Sequence, residues 1–472
     1  MVKYTPFPYQ EKCISKGLEV LIDKKGRREV LVAPVGAGKA IIIAEIANRL
    51  PNDGNILVIQ PNKELIEQNL EKIESLGVYP AVFSASLKRK EIGRIVYATP
   101  SSLTDEFLKQ ANIKYTIIDE CDSFSRPDTK FTKLLSKHKL KSVLGLTASP
   151  IYLMSSLEKG AVLNIMTRVW RAFYKDICYV LPIKEVIENG RWSKLKYVEH
   201  EFDRTGLVLN SSGSDYSKES LQLNYLEADM DSKIIGVLNT IPEDEPVLIF
   251  VPGIDNVESL TKKIKGAKCI HSKTSVKDRT ELIRDFKSGK VTRVINSQVL
   301  SVGFDYPGLK HIIDGCPTNS VRVYYQKIGR LVRVHESKEY GTVHDLCGNF
   351  EKFGKIEEFS FENIPGYGWA MFAGEYLVSG IPMKENLRIT RKDLVTNNAT
   401  KSDDSTFDFS FDKSKIDNGL KITFGKHKGR SFLDVYKTDK GYLMWLNDKR
   451  KDGSFDFSYH RELEQELSKV FK

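Results

Sequence analysis

The chain has 472 residues, 41% hydrophobic and 28% charged, and a formal net charge of +10. That length exceeds one ordinary core, so two or three domains are expected; the apolar fraction excludes a disordered chain, and no run approaches the roughly 18 uninterrupted apolar residues of a membrane span. Six scattered cysteines without zinc spacing exclude a disulfide-stapled or zinc-ribbon fold and fit a reducing cytoplasm, while the basic excess favours a polyanionic partner.

Short apolar runs alternate with longer amphipathic stretches, the pattern of a parallel sheet with crossover helices. In the first half, strands are predicted at Glu29–Ala33, Asn55–Gln60, Arg94–Ala98, Tyr115–Asp119 and Ser142–Thr147, with a helix over Lys63–Leu76. Between the first strand and the apolar stretch Ile41–Leu50 lies Val35-Gly36-Ala37-Gly38-Lys39-Ala40. Glycines here let backbone N–H groups approach phosphate, the helix N-terminus adds partial positive charge, and Lys39 reaches the outer phosphates of a nucleotide. Ala40 stands where a Ser or Thr hydroxyl ordinarily contacts Mg²⁺, so weakened metal handling is expected. Further on, Ile117-Ile118-Asp119-Glu120-Cys121-Asp122 aims acids at the carboxyl edge of the sheet, with Asp119 placed for Mg²⁺ and Glu120 for polarising water.

Asp203–Ser220 is polar, contains Ser211-Ser212-Gly213-Ser214, and reads as a loop or hinge. A second set of strands follows at Val247–Val251, Lys268–Ile270, Arg293–Asn296, His311–Ile313 and Gly341–Leu346. Thr396–Ser405 reads as another linker, and the last section regains apolar and aromatic residues. The expected division is 1–202, a nucleotide-binding first domain; 203–225, a flexible linker; 226–365, a second α/β domain; 366–412, an accessory segment; and 413–472, a small basic module. Between Lys413 and Asp452 eleven Lys or Arg face five Asp, so +6 of the net charge sits there. Basic residues interleaved with Phe424, Tyr436 and Trp445 suit phosphates and stacked bases; Lys426, His427, Lys428 and Arg430 are the better contact candidates, whereas Tyr442 and Trp445, at helical spacing, are expected in the module's core.

Taken in order, these strings resemble the motifs of superfamily 2 helicases. Phe7-Pro8-Tyr9-Gln10 is similar to the Q motif, and Gly36–Lys39 to the phosphate loop. Gln60–Leu65 with Gln68 is similar to motif Ia, and Ala98–Leu103 to motif Ib. Asp119–Asp122 stands at motif II, Thr147-Ala148-Ser149 at motif III, Ser297–Asp305 at motif V, and Gln326–Arg333 (Q-x-x-G-R-x-x-R) at motif VI. The resemblance implies an α/β fold of two tandem RecA-like domains with parallel sheets, plus a small C-terminal α+β module. It assigns catalysis to Lys39, Asp119, Glu120 and the arginine fingers Arg330 and Arg333. Gln10, Val35, Gly36, Ala37, Gly38, Lys39, Ala40, Gly303 and Asp305 would hold ATP, and Asp119 would hold Mg²⁺. Thr147, Ser149 and Gln326 would couple hydrolysis to domain closure, and Thr99, Ser102 and Ser297 would grip nucleic-acid phosphates.

The D-E-C-D, T-A-S and Q-K-I-G-R forms resemble DNA-directed branches, including the phage UvsW-type branch-remodelling helicases, more than the DEAD-box RNA helicases. The expectation is therefore a monomeric, ATP- and Mg²⁺-dependent DNA helicase, acting on single-stranded, forked or Holliday-junction DNA alongside recombination or replication proteins. For a phage-encoded chain, the compartment would be the host cytoplasm. An RNA helicase and a nucleotide-gated DNA-binding protein with little turnover are the alternatives.

Overall fold

The computed structural model describes residues 5–23, 26–140, 142–156, 160–211, 215–297, 300, 304–381, 389–398, 420–422, 427, 430–432, 434–435, 440–451 and 460–470. Gly303, Lys426 and Lys428, expected above to contact ligands, lie outside them.

Two units are distinguished, Met1–Asn397 and Asn398–Lys472. The larger holds two parallel sheets in tandem. The first has eight strands in the order Asp176–Val180, Arg28–Val32, Ser142–Thr147, Ile113–Asp119, Asn55–Ile59, Ile95–Ala98, Ala81–Ser84 and Arg89–Lys90. All its pairings are parallel except the last. Its central strands are buried on both faces, which is why they read as continuous Ile, Leu and Val runs rather than as alternation. The second sheet orders Lys194–Glu199, Tyr340–Asp345, His311–Asp314, Val247–Phe250, Arg293–Asn296 and Lys268–Ile270, every pair parallel.

Every strand expected in either half is present within two residues of its bounds. The domain limits differ more. Lys194–Glu199, assigned to the first domain, pairs with Tyr340–Asp345 and so belongs to the second sheet. It is a half-exposed edge strand of alternating character (Lys-Leu-Lys-Tyr-Val-Glu), which an apolar-run criterion passes over. Nor is 203–225 a free linker in its described part. Leu209 and Tyr216 pair, Ser217 caps the helix Lys218–Glu227, and the Asp215 carboxylate accepts hydrogen bonds from the Thr318 hydroxyl (2.7 Å) and the Asn319 N–H (2.6 Å). The limit at 365 divides an antiparallel sheet, Phe359–Ile364, Gly368–Ala373 and Tyr376–Leu377. This sheet returns to the first domain: Arg168 donates to the Trp369 carbonyl at 2.9 Å and the Trp369 indole donates to Asp176 at 2.7 Å.

One histidine pair in the second sheet, with His344 buried, makes stability pH-dependent. His344 lies against His311, with ring nitrogens 3.3 Å apart, and His311 reaches Glu245 at 2.8 Å. Burial, then the neighbouring His311, lowers His344 to about 4. Its unfolded value is about 6.5, so the unfolded chain takes up this proton first as pH falls. The stability associated with neutral His344 is complete above about pH 6.5 and is lost towards pH 4. His344→Gln is expected to flatten the decline in urea midpoint between pH 7 and pH 5. An unchanged slope would assign the acid sensitivity elsewhere.

Candidate nucleotide and nucleic-acid site

Strand Arg28–Val32 delivers the chain into the glycine loop, where the Ala37 N–H closes onto the Pro34 carbonyl at 3.2 Å and the helix Lys39–Arg49 begins. Gly38 caps that helix at φ +80°, and a Cβ there would meet the Gln10 amide nitrogen at 2.4 Å, so only glycine fits. Gln10 is buried; its Nε2 donates to the Ala37 carbonyl at 3.0 Å and its Oε1 accepts from the Phe7 N–H at 3.0 Å. The Gln motif thus braces the loop from behind.

The acidic cluster faces the loop. Lys39 Nζ lies 3.1 Å from Glu120 Oε1. Burial alone would lower the ammonium, but Glu120 and Asp119 outweigh it and hold Lys39 above its ordinary range. Burial and the Glu120 charge raise the Asp119 carboxyl to about 7. For Glu120, burial is overcome by Lys39, Arg322 and Arg330, and its carboxyl is held low. Two adjacent acids are therefore pushed apart, one charged and one poised to accept a cation. Glu120 also sits in the left-handed region at φ 45°, a strained backbone of the kind that concentrates at functional sites. No group of three or more metal-ligating side chains occurs among the described residues. The hard, proton-hungry Asp119 carboxylate suits one position on Mg²⁺, the others falling to phosphate and water.

Asp122 turns the other way. Its carboxylate accepts from Thr147 Oγ1 at 2.7 Å and Ser149 Oγ at 3.4 Å, and meets Arg322 Nε at 2.6 Å. The same guanidinium donates to Ser123 Oγ at 2.7 Å. Arg322 comes from the second domain's helix Val321–Ile328, so the two domains join at the motif II acids. Sequence reading missed this residue. The signal was present: Arg322, Gln326 and Arg330 recur every four residues, one helical face.

The two lobes also touch at the phosphate loop. A Cβ on Gly329 would lie 2.7 Å from Val35 Cγ2, and one on Gly36 would lie 3.3 Å from Val332 Cγ2. Trp192 and Ser193, also missed, fasten this junction. The Trp192 indole donates to the Val35 carbonyl at 2.8 Å, the Ser193 N–H donates to the Val332 carbonyl at 2.7 Å, and the Ser193 hydroxyl donates to the Arg333 carbonyl at 2.8 Å. Of the expected finger pair, Arg330 donates to the Phe304 carbonyl at 2.6 Å. Burial and Arg333 lower it to about 9, against the pull of Glu120. Arg333 instead pairs with Asp305 at 2.7 Å. Gln326 is buried on the helix Val321–Ile328.

The nucleic-acid residues are less open than expected. Thr99 and Ser102 are buried and share a 2.8 Å hydroxyl contact, and Ser102 Oγ accepts from the Ala85 N–H at 2.9 Å. These hydroxyls shape the turn, leaving Ser101 as its exposed hydroxyl. Ser297 is half-buried. In the C-terminal unit Arg430 is paired with Asp434 and lies 3.2 Å from His427 Nδ1.

Residues 3–152 match the family model for the type III restriction enzyme res subunit, and 231–335 match the helicase conserved C-terminal domain. Residues 422–451 match the exodeoxyribonuclease X-like C-terminal model. A putative mitochondrial ATP-dependent helicase, irc3 of Schizosaccharomyces pombe, is 25% identical over 371 residues, 73% of this chain and 58% of that protein. The ATP-dependent RNA helicase DBP3 of Lodderomyces elongisporus is 23% identical over 381 residues, 74% of this chain and 64% of that protein. The chain therefore spans about three-fifths of the curated relatives it matches. Among solved structures, the ATP-dependent type ISP restriction-modification enzyme LlaBIII bound to DNA aligns over 73% of this chain and 28% of its own, at 14% identity and a TM-score of 0.55. The fold is that of two tandem RecA-like domains.

Proposed function

We propose that this chain, which carries the paired domains of superfamily 2 helicases, hydrolyses ATP to translocate on DNA and to unwind or branch-migrate forked and Holliday-junction DNA. The observation that carries the reading is the contact of Gly329 with Val35, which brings the Lys39 loop and Arg330 to one cleft. A triphosphate seated there is held by both lobes, so its cleavage changes what holds the lobes together.

In this mechanism Lys39 exchanges Glu120 for the outer phosphates. Glu120, released from Lys39, orients the attacking water and accepts its proton. Asp119 would hold Mg²⁺, which neutralises phosphate charge when bound. Arg330 is positioned from the second lobe for charge that develops at the γ-phosphate. Asp122 carries the change outward, because Thr147, Ser149 and Arg322 all depend on its carboxylate.

The net charge of +10 supports a nucleic-acid track, and the preference for DNA rests on the motif II, III and VI forms and on the restriction-enzyme family model over residues 3–152. RNA is the second reading, favoured by the RNA-helicase names among the relatives. An ATPase assay across single strands, duplexes, forks and four-way junctions, each as DNA and RNA, separates them. Glu120→Gln is expected to reduce stimulated turnover by about 10²–10⁴-fold, the usual contribution of a general base. Undiminished DNA-stimulated phosphate release in that variant would remove the mechanism.

A further inference from the structure

The C-terminal unit builds its core from Leu420, Ile422, Phe432, Val435, Leu443, Leu446, Leu463 and Leu467. Trp445, expected among them, is not there. The helix Lys440–Lys451 buries Leu443 and Leu446 and leaves the Trp445 side chain on the other face, 48% exposed. Tyr442, one turn earlier, stacks with it at 5.9 Å between ring centroids and 29° between planes. His427 meets Tyr442 edge-on at 4.9 Å and 74°. Lys449, four residues after Trp445, falls on the same helical face, and Arg430 lies beside His427.

A half-exposed indole stacked on a ring that packs against the core, in a segment with a net charge of +6, is matched to a flat partner that carries negative charge. An apolar peptide would satisfy the ring but would not answer the net positive charge of the segment, and a duplex hides its base faces. We propose that Trp445, Tyr442 and His427 form a stacking ledge for an unpaired base of single-stranded nucleic acid, with the adjoining Lys and Arg side chains on its phosphates. Every base has a π-face, so such a ledge takes unpaired strand without reading sequence. It uses none of the residues of the nucleotide cleft and does not depend on hydrolysis there.

The test is photo-crosslinking of the full-length protein, without nucleotide, to an oligothymidylate carrying one 5-iodouracil, followed by peptide mapping. The crosslink is expected within 440–451, equally in wild type and in Lys39→Ala, so that failure of the motor reading leaves this result untouched. Trp445→Ala is expected to reduce it about tenfold or more, and Trp445→Phe to retain most of it, as a stacking contribution predicts. Crosslinks confined to residues before 398, equal yield from Trp445→Ala, or equal yield from a fully paired duplex would each overturn the proposal.

Discussion

In the proposed cycle, Arg330→Ala is expected to lower nucleic-acid-stimulated ATP hydrolysis by about 10³–10⁵-fold while leaving nucleic-acid binding within about twofold of wild type. Arg330 enters from the second lobe, and its charge already acts on Glu120 across the cleft. Withdrawing water from the guanidinium is costly, and burial accordingly lowers it to about 9. Such a group repays that cost where negative charge appears, which in the proposed cycle is at the γ-phosphate during transfer. Arg333→Ala is expected to do less, because its guanidinium is already engaged by the half-exposed Asp305. Steady-state phosphate release at saturating single-stranded DNA measures both. Equal, modest losses in the two variants would mean that neither arginine serves the transition state.

Lys327→Met is expected to cost about 3–5 kcal/mol in the stability of the second domain, the usual result of removing one partner from a buried ion pair. Lys327 and Asp314 are 0% and 1% exposed, with Nζ 2.8 Å from Asp314 Oδ1 and 2.7 Å from the Cys316 carbonyl. Burial would strip the ammonium of its proton, but Asp314 more than compensates and holds Lys327 above its ordinary range. Asn349 closes the network at 2.9 Å from the other carboxylate oxygen. Without Lys327 the Asp314 charge is left with amide and backbone partners only. Urea unfolding at neutral pH should show the loss, and adding Asp314→Asn should recover part of it, since an amide needs no counter-charge. An unchanged midpoint in the single variant would show that the pair contributes nothing net. The same lysine anchors the helix Val321–Ile328, two residues before Arg330, so its loss should also slow turnover.

Sequence alone determined the two sheets and the order of the cleft motifs. Strands buried on both faces must be apolar throughout, and a phosphate loop must place glycine and lysine at fixed positions between strand and helix. Both demands are local, so both are written locally. Edge elements were not legible: Lys194–Glu199 and the sheet from Phe359 onward are half-exposed and alternate, and their partners lie far off in the chain.

Only the tertiary structure decided which charges meet. Lys327 reads as one more cation in a basic string, yet it is buried because Asp314, thirteen residues away in sequence, is brought to it by the sheet. Arg322 reads as a surface residue until the lobes close it onto Asp122, 200 positions earlier. Thr99 and Ser102 read as phosphate contacts, but the turn folds their hydroxyls onto each other. Trp445 reads as core from its spacing, and the unit filled its core with leucines instead. Spacing fixes which residues share a face. Which face is covered, and by what charge, depends on groups that only folding brings near.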